Sequence, residues 1–390
     1  MVPNGWEVKQ LADLTTKISD GIHSTPQYAE NSDIHFINGN NLKNGSIVIS
    51  SATKKVCAED AQNHVRDLSD RTILMSINGT IGNLAFYNNE NVVLGKSACY
   101  LNVNHDVDIK YIYYTLNSSK TQNFYTTELT GSTIKNLSLK TIKSTKILTP
   151  PLLEQQKIAK ILSTWDKAIS TTERLIENST QQKKALMQQL LTGKKRLLDE
   201  SGKRFEVEWE ELKLENVFKL SSGDTKPKDV ENEPTEEQKI PVFGGNNIMG
   251  YSANSNSEGD VILIGRVGEY CGVTRLIQEK CWITDNALFT KEFSDEFDKL
   301  FIVYLLQNFQ LSRLRNKGGQ PQISQKPIYT LKLKIPLLKE QRKIATVLTN
   351  ADKEIELLEQ QLADLQQEKK ALMQVLLTGK KRVVVDGEVV

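Results

Sequence analysis

Cysteine is scarce in this chain. Its 390 residues include four, Cys57, Cys99, Cys271 and Cys281, and none forms a Cys-x-x-Cys pair. That argues against a zinc ribbon, and a chain of this size has no need of a disulfide scaffold. A reducing cytoplasm is the expected compartment. No apolar run approaches the ~20 residues that a membrane span needs, and Met1-Val2-Pro3-Asn4-Gly5-Trp6 lacks a basic-then-apolar secretory pattern. The four histidines, His23, His35, His64 and His105, are scattered with no i,i+4 pair, so no metal site is expected. Catalytic signatures are missing too. There is no Walker loop, and no Asp-Pro-Pro-Tyr or Asn-Pro-Pro-Tyr/Phe motif of a base-flipping amino-methyltransferase. No Pro-Asp dipeptide is present to seed a nuclease carboxylate motif. Gly79-x-x-Gly82 and Gly265-x-x-Gly268 are glycine pairs that tight turns explain. The expectation is a protein without catalytic residues or a cofactor of its own.

Charge of either sign is also lacking in excess: 50 Lys and Arg against 48 Asp and Glu give +2. Such a balance is weak evidence against tight nucleic-acid binding by the chain alone. The distribution is uneven, at about +1 for residues 1–149, +5 for 150–196, −4 for 197–335 and 0 for the remainder.

What the chain does contain is a repeat. Pro150 to Arg196 aligns without a gap on Pro336 to Arg382, with about 26 of 47 positions identical. The copies open on Glu154-Gln155-Gln156-Lys157-Ile158-Ala159 and Glu340-Gln341-Arg342-Lys343-Ile344-Ala345. Both close on Leu-Thr-Gly-Lys-Lys-Arg. In the first copy a 4-3-4-3 spacing links Ile158, Leu162, Trp165, Ile169, Thr172, Ile176, Ser179, Lys183, Leu186 and Leu190. In the second it links Ile344, Leu348, Ala351, Ile355, Leu358, Leu362, Leu365, Lys369, Leu372 and Leu376. About five heptads of this pattern predict a coiled-coil seam. Thr172 and Ser179 weaken the first seam where Leu358 and Leu365 strengthen the second, so pairing of the two helices within one chain is the favoured reading, ahead of pairing with another protein. Lys183 and Lys369 occupy equivalent seam positions, where a lysine either fixes register or snorkels outward. Gly193 and Gly379 read as helix C-caps, with the basic residues after them complementing the helix dipole.

Each copy is preceded by a segment of domain size. Trp6-Glu7 and Trp209-Glu210 open the two segments. Ile73-Leu74-Met75-Ser76 and Val261-Ile262-Leu263-Ile264 read as buried strands entering glycine turns. Tyr111 to Leu116 and Phe301 to Leu306 read as short buried helices, followed by the Gly-polar stretches Gly131 to Asn136 and Gly318 to Ile323. The expected fold class is therefore α+β, an internal repeat with two mixed α/β heads joined by two long coiled-coil helices. The expected boundaries are 1–149 for the first head, 150–196 for the first helix, 197–335 for the second head, 336–382 for the second helix and 383–390 for a tail.

These features resemble the specificity subunit of type I restriction–modification systems. The proline-led Glu-Gln-x-Lys-Ile-Ala start and the Leu-Leu-Thr-Gly-Lys-Lys-Arg end, each present twice, carry the resemblance. Asp20-Gly21-Ile22-His23-Ser24-Thr25-Pro26 and Pro241-Val242-Phe243-Gly244-Gly245-Asn246-Asn247 resemble openings of its target-recognition domains. The resemblance implies that the two long coiled-coil helices pack antiparallel. It implies double-stranded DNA as ligand, each head reading one half of an asymmetric bipartite site across a helical ruler. It implies two methyltransferase and two motor-nuclease subunits as partners, which would supply S-adenosylmethionine and ATP chemistry. A coiled-coil adaptor whose heads bind protein is the alternative. Polar or basic residues in Gly-containing segments are the candidates for contact with DNA. In the first head they are Asn78, Thr80, Asn83, Lys96, Ser132 and Lys135. In the second they are Arg266, Tyr270, Arg313, Arg315, Lys317, Gln320 and Gln322.

Overall fold

The computed structural model describes residues 2–131, 135–316, 319–385 and 388–389. The chain divides into two compact units, Met1–Glu173 with Gln361–Val390, and Arg174–Gln360. Each unit contains one head and a stretch of both long helices, Leu152–Leu190 and Leu338–Leu376, each 39 residues long. Among the described residues no helix is long and apolar enough to cross a membrane.

The heads are built on the same plan. In the first unit a four-stranded antiparallel sheet runs Thr15–Asp20, Ala98–Val103, Thr72–Ser76, Leu84–Phe86. Its central strands alternate between two apolar clusters. Ile73, Met75, Cys99 and Leu101 face the main core, while Leu74, Ala98 and Tyr100 face a smaller one. Both faces are covered, which is why these strands read as continuous apolar runs. The second unit repeats the order with Phe218–Ser222, Ala287–Phe293, Val261–Gly265 and Thr274–Ile277. A short parallel pair flanks each sheet, His35–Ile37 with Val92–Leu94 and Ile240–Phe243 with Trp282–Ile283.

Each head closes on itself before its helix begins. Glu7–Gln10 pairs antiparallel with Lys146–Thr149, and Glu210–Lys213 with Lys332–Ile335. The helix after each closing strand then enters the core of its own head. Ile158, Ala159 and Leu162 belong to the first core, and Ile344, Ala345 and Leu348 to the second. The far end of the other helix completes each core, with Leu376 and Leu377 in the first and Leu190 and Leu191 in the second. Within each unit the two helix stretches therefore run antiparallel, and every seam position named above is buried or half-buried.

Segments near the two ends of the chain, around Asn4 to Trp6 and Arg382 to Val383, meet inside the first unit. Val383 is buried in the core that holds Trp6, and Arg382 Nη1 donates to the Asn4 carbonyl at 2.9 Å.

Candidate nucleic-acid interface

The helix starts decode residue by residue. Glu154 is 1% exposed and accepts from Arg382 Nε at 2.7 Å, Arg382 Nη2 at 2.9 Å and Trp6 Nε1 at 3.0 Å. Its counterpart Glu340, also 1% exposed, accepts from Arg196 Nε and Nη2, both at 2.7 Å. The bond to Glu340 holds the Arg196 guanidinium above its ordinary pKa. Such bidentate pairs are strong because both N–H vectors match the carboxylate fork. Gln155 Oε1 accepts from the Asp108 N–H at 2.9 Å, and Gln341 Oε1 from the Asp298 N–H at 2.8 Å. Asp108 and Asp298 in turn cap the head helices Ile109–Leu116 and Lys299–Phe309 through the N–H groups of Tyr111 and Phe301.

Gly193 and Gly379 do lie in the left-handed region, at φ +70° and +68°. The arginines three residues later correct the dipole reading, because each reaches a buried glutamate of the other helix. The seam lysines do not snorkel outward. Lys183 pairs with Asp352 and Lys369 with Asp166.

The candidate DNA-contacting residues come from separate segments that the backbone draws together. In the first head the turn after Thr72–Ser76 has Gly79 at φ +72° and Gly82 at φ +85°. Asn78 is bridged to Asn136, next to Lys135, and the Leu137 N–H donates to the Ile77 carbonyl at 2.9 Å. On the other side the Ile77 N–H donates to the Ser97 carbonyl at 3.0 Å, which brings in the turn carrying Lys96. Thr80, Lys96 and Lys135 are exposed, while Asn78 and Asn83 are half-buried. Ser132 lies outside the described residues.

The second head makes the same junction. Val267 is bridged to Gln322, the Ile323 N–H donates to the Arg266 carbonyl at 2.9 Å, and the Arg266 N–H donates to the Asn286 carbonyl at 2.9 Å. Tyr270, Arg313, Arg315, Gln320 and Gln322 are exposed around it. Arg266 is half-buried, with Nη1 donating to Ser222 Oγ at 3.0 Å and a buried Nε that has no partner among the described residues. Lys317 lies outside the described residues.

The structure shifts the alignment of the two turns. Gly82 N donates to Ser76 O as Gly272 N donates to Gly265 O, both at 2.8 Å. Gly79 and Gly82 therefore correspond to Gly268 and Gly272, not to Gly265 and Gly268. The second turn is one residue longer, which hid the match.

A further turn in each junction was not among the sequence candidates. Asn38-Gly39-Asn40-Asn41 and Gly244-Gly245-Asn246-Asn247 occupy equivalent places beside the glycine turns, and Asn40 and Asn247 are exposed. Gly39 N donates to Ser97 Oγ at 2.9 Å, and a Cβ on Gly39 would stand 2.1 Å from Ser76 Oγ. Arg275 Nη2 donates to Asn246 Oδ1 at 2.6 Å. The shared Gly-Asn-Asn triplet was the signal available in the sequence.

The first unit also carries an open groove of about 1450 Å³. Its lining includes the exposed lysines Lys110, Lys120, Lys146 and Lys370 and the aromatic rings of Phe86 and Tyr113.

Two junctions of matched backbone and unlike side chains, on a doubled scaffold, can be set against known proteins. The family described as "Type I restriction modification DNA specificity domain" matches residues 3–179 and 206–367. This chain belongs to that family. The type I restriction enzyme MjaVIII specificity subunit of Methanocaldococcus jannaschii is 26% identical, over 98% of this chain and 94% of that protein. The type I restriction enzyme EcoprrI specificity subunit of Escherichia coli is 30% identical over 39% of this chain and 38% of its own length. The crystal structure of the type I restriction–modification S subunit from M. genitalium superposes with a TM-score of 0.66 at 19% identity, covering 96% of this chain and 97% of that one. A chain solved in work on complex assembly and conformational transition of the type I R-M system gives 0.60 at 16% identity, covering 98% and 100%. These two likenesses establish the shared fold. As a specificity subunit the chain is a non-catalytic, DNA-recognising component with two target-recognition domains, the two heads.

Proposed function

We propose that this chain directs a type I restriction–modification enzyme to an asymmetric bipartite DNA site, one half read by each head. The observation that carries the reading is the repeated junction. Each head brings a glycine turn, a Gly-Asn-Asn turn and a later Gly-polar segment together at the end of Thr72–Ser76 or Val261–Gly265, but with different side chains. Equal frames with unequal contact groups suit two unlike half-sites, because base edges are distinguished by donor and acceptor placement.

The two long helices act as the ruler between the halves and as the scaffold for two methyltransferase subunits. Two motor-nuclease subunits complete the enzyme. S-adenosylmethionine and ATP are bound by those partners, and the assembly works in the cytoplasm. A net charge of only +2 supports shared DNA binding, in which partners supply part of the phosphate contact. Membership of a DNA-specificity family weighs against the protein-adaptor alternative.

The test is to express the chain with its methyltransferase and sequence the modified adenines. The expected result is one two-part motif with a fixed gap. A continuous motif, or methylation independent of this chain, would overturn the proposal. In mobility shifts at one salt concentration the isolated chain should bind DNA weakly and the complex tightly.

A further inference from the structure

In each unit an aspartate just beyond the head's core holds three elements at once. Asp166 lies four residues past Leu162, the last residue of the first long helix counted in that core. Its Oδ2 accepts from the Tyr114 hydroxyl of the head helix at 2.5 Å, and its Oδ1 accepts from Lys369 of the second long helix. Lys369 Nζ also stands 5.5 Å from the centre of the Tyr114 ring. The second unit repeats the set. Asp352 accepts from the Tyr304 hydroxyl at 2.6 Å and from Lys183, whose Nζ lies 5.5 Å from the Tyr304 ring centre. Ser163 and Thr349 complete the clusters, each 3.2 Å from its tyrosine hydroxyl.

Twelve residues earlier on the same helices stand Glu154 and Glu340, the carboxylates held by Arg382 and Arg196. Twelve residues of helix rise about 18 Å. On either side of the apolar contacts of Ile158, Ala159 and Leu162, or Ile344, Ala345 and Leu348, each head is therefore tied to its helix by polar bonds at two places. The near tie is made at Glu154-Gln155 or Glu340-Gln341, and the far tie at the aspartate. A body held at one point can pivot, whereas a body held at two separated points keeps its angle.

We propose that Asp166 with Tyr114 and Lys369, and Asp352 with Tyr304 and Lys183, are positioning groups that fix the angle of each head on the helix pair. They thereby fix the number of base pairs between the two half-sites. The inference rests on the bipartite reading above. Adding one base pair to the gap displaces a half-site by about 3.4 Å and rotates it by about 35°. With the far tie intact a head cannot follow that rotation. With the tie cut, the head keeps the near tie and the apolar contacts between the ties, which are non-directional and let it tilt to accept neighbouring gaps.

The test uses the full chain expressed with its methyltransferase. Methylation at sites one base pair longer or shorter is compared with methylation at the native gap. In the Tyr114→Phe/Lys369→Met variant that ratio should rise about tenfold, equivalent to about 1.4 kcal/mol, while both half-site sequences stay the same. Tyr304→Phe/Lys183→Met should act alike. Asp166→Asn can keep Oδ1 on Lys369 and turn Nδ2 to donate to the Tyr114 hydroxyl, so it should hold the native gap. If the double variants do not assemble, Tyr114→Phe alone, which removes a single hydroxyl, is read in the same way. A variant that is less stable yet methylates only the native gap would reduce the clusters to ordinary packing and overturn the proposal. Altered half-site letters would overturn it too, by assigning the clusters to base reading. A wild-type chain with no bipartite motif would instead refute the functional reading.

Discussion

Replacing Arg382 by Met should be among the most damaging single changes outside the apolar cores. Arg382 gives two N–H groups to Glu154, whose side chain is 1% exposed, while its own side chain is 17% exposed. The substitution keeps most of the volume but leaves the carboxylate buried with Trp6 Nε1 as its remaining donor. Breaking a buried ion pair from one side costs ~3–5 kcal/mol. At roughly 2–4 °C per kcal/mol for a unit of this size, the melting temperature should fall by about 6–20 °C. The damage is the stranded charge, so Glu154→Gln added to Arg382→Met should recover much of the loss. A double-mutant cycle by urea unfolding measures that coupling. The exposed pair Lys9–Glu7, with side chains 42% and 69% exposed, serves as the control, since its removal should change stability by less than about 1 kcal/mol. An Arg382→Met loss no larger than the Lys9 control, or no recovery in the double variant, would refute the argument.

Other outcomes follow from the same geometry. Arg266→Ala or Arg315→Ala should cost about 1–3 kcal/mol and relax one base position if the arginine reads guanine; an unchanged motif and affinity in both variants removes them as readers. Adding seven residues to both long helices at matching points should lengthen each by ~10 Å, about three base pairs of rise, so the sequenced motif should keep its halves and widen its gap. Burial, reinforced by the Asp352 bond, pushes the Tyr304 hydroxyl up to about 12 from its ordinary 10.0. Its contribution to stability is therefore fully present below pH ~10 and lost as pH rises through about 12; a Tyr304→Phe chain should show a shallower alkaline decline in melting temperature. Because Arg382 bonds to Asn4 and Val383 packs with Trp6, joining the chain ends through a short Gly/Ser linker and reopening near Ser201-Gly202 should preserve assembly and motif; a soluble permutant that fails to assemble contradicts this.

The long helices were legible because a heptad period is a local signal, repeated here over many turns and copied once. The buried strands were legible for a similar reason, since runs such as Ile73-Leu74-Met75 suit no surface. What stayed hidden was the function of polar residues whose partners lie far along the chain. Glu154 meets Arg382 across 228 positions, and Asp166 meets Lys369 across 203. Neither separation leaves a local trace. The clue was the identity of Glu154 with Glu340 and of Asp166 with Asp352 in the aligned copies. The glycine turns were found but matched three and four residues out of step, because Gly265, which ends the strand, supplied a second Gly-x-x-Gly and the second turn is one residue longer. Lys96, Asn78 and Lys135 were named separately from composition, and it took backbone bridges through Ile77 and Asn136 to put them in one junction. Of the Gly-Asn-Asn turns, Gly245-Asn246-Asn247 was singled out only within a family-like motif, and neither turn was named as a DNA contact.

The building of the first unit from two distant stretches of chain has a consequence for how the protein is made. The second unit, Arg174–Gln360, is one continuous stretch, whereas the first takes in Gln361–Val390. Leu376, Leu377 and Val383 complete a core whose other members are mostly translated before residue 163, and Arg382 pairs with its Glu154. At ~5–20 residues per second, the first head to leave the ribosome waits roughly 10–40 s for its last pieces. The second-born unit is therefore the first able to close. Until Val383 is added, the older head carries an open apolar seam and a glutamate without its arginine, which makes it the stage most in need of chaperone cover. A chain that stopped before Leu376 would have a sound second unit and an open first one.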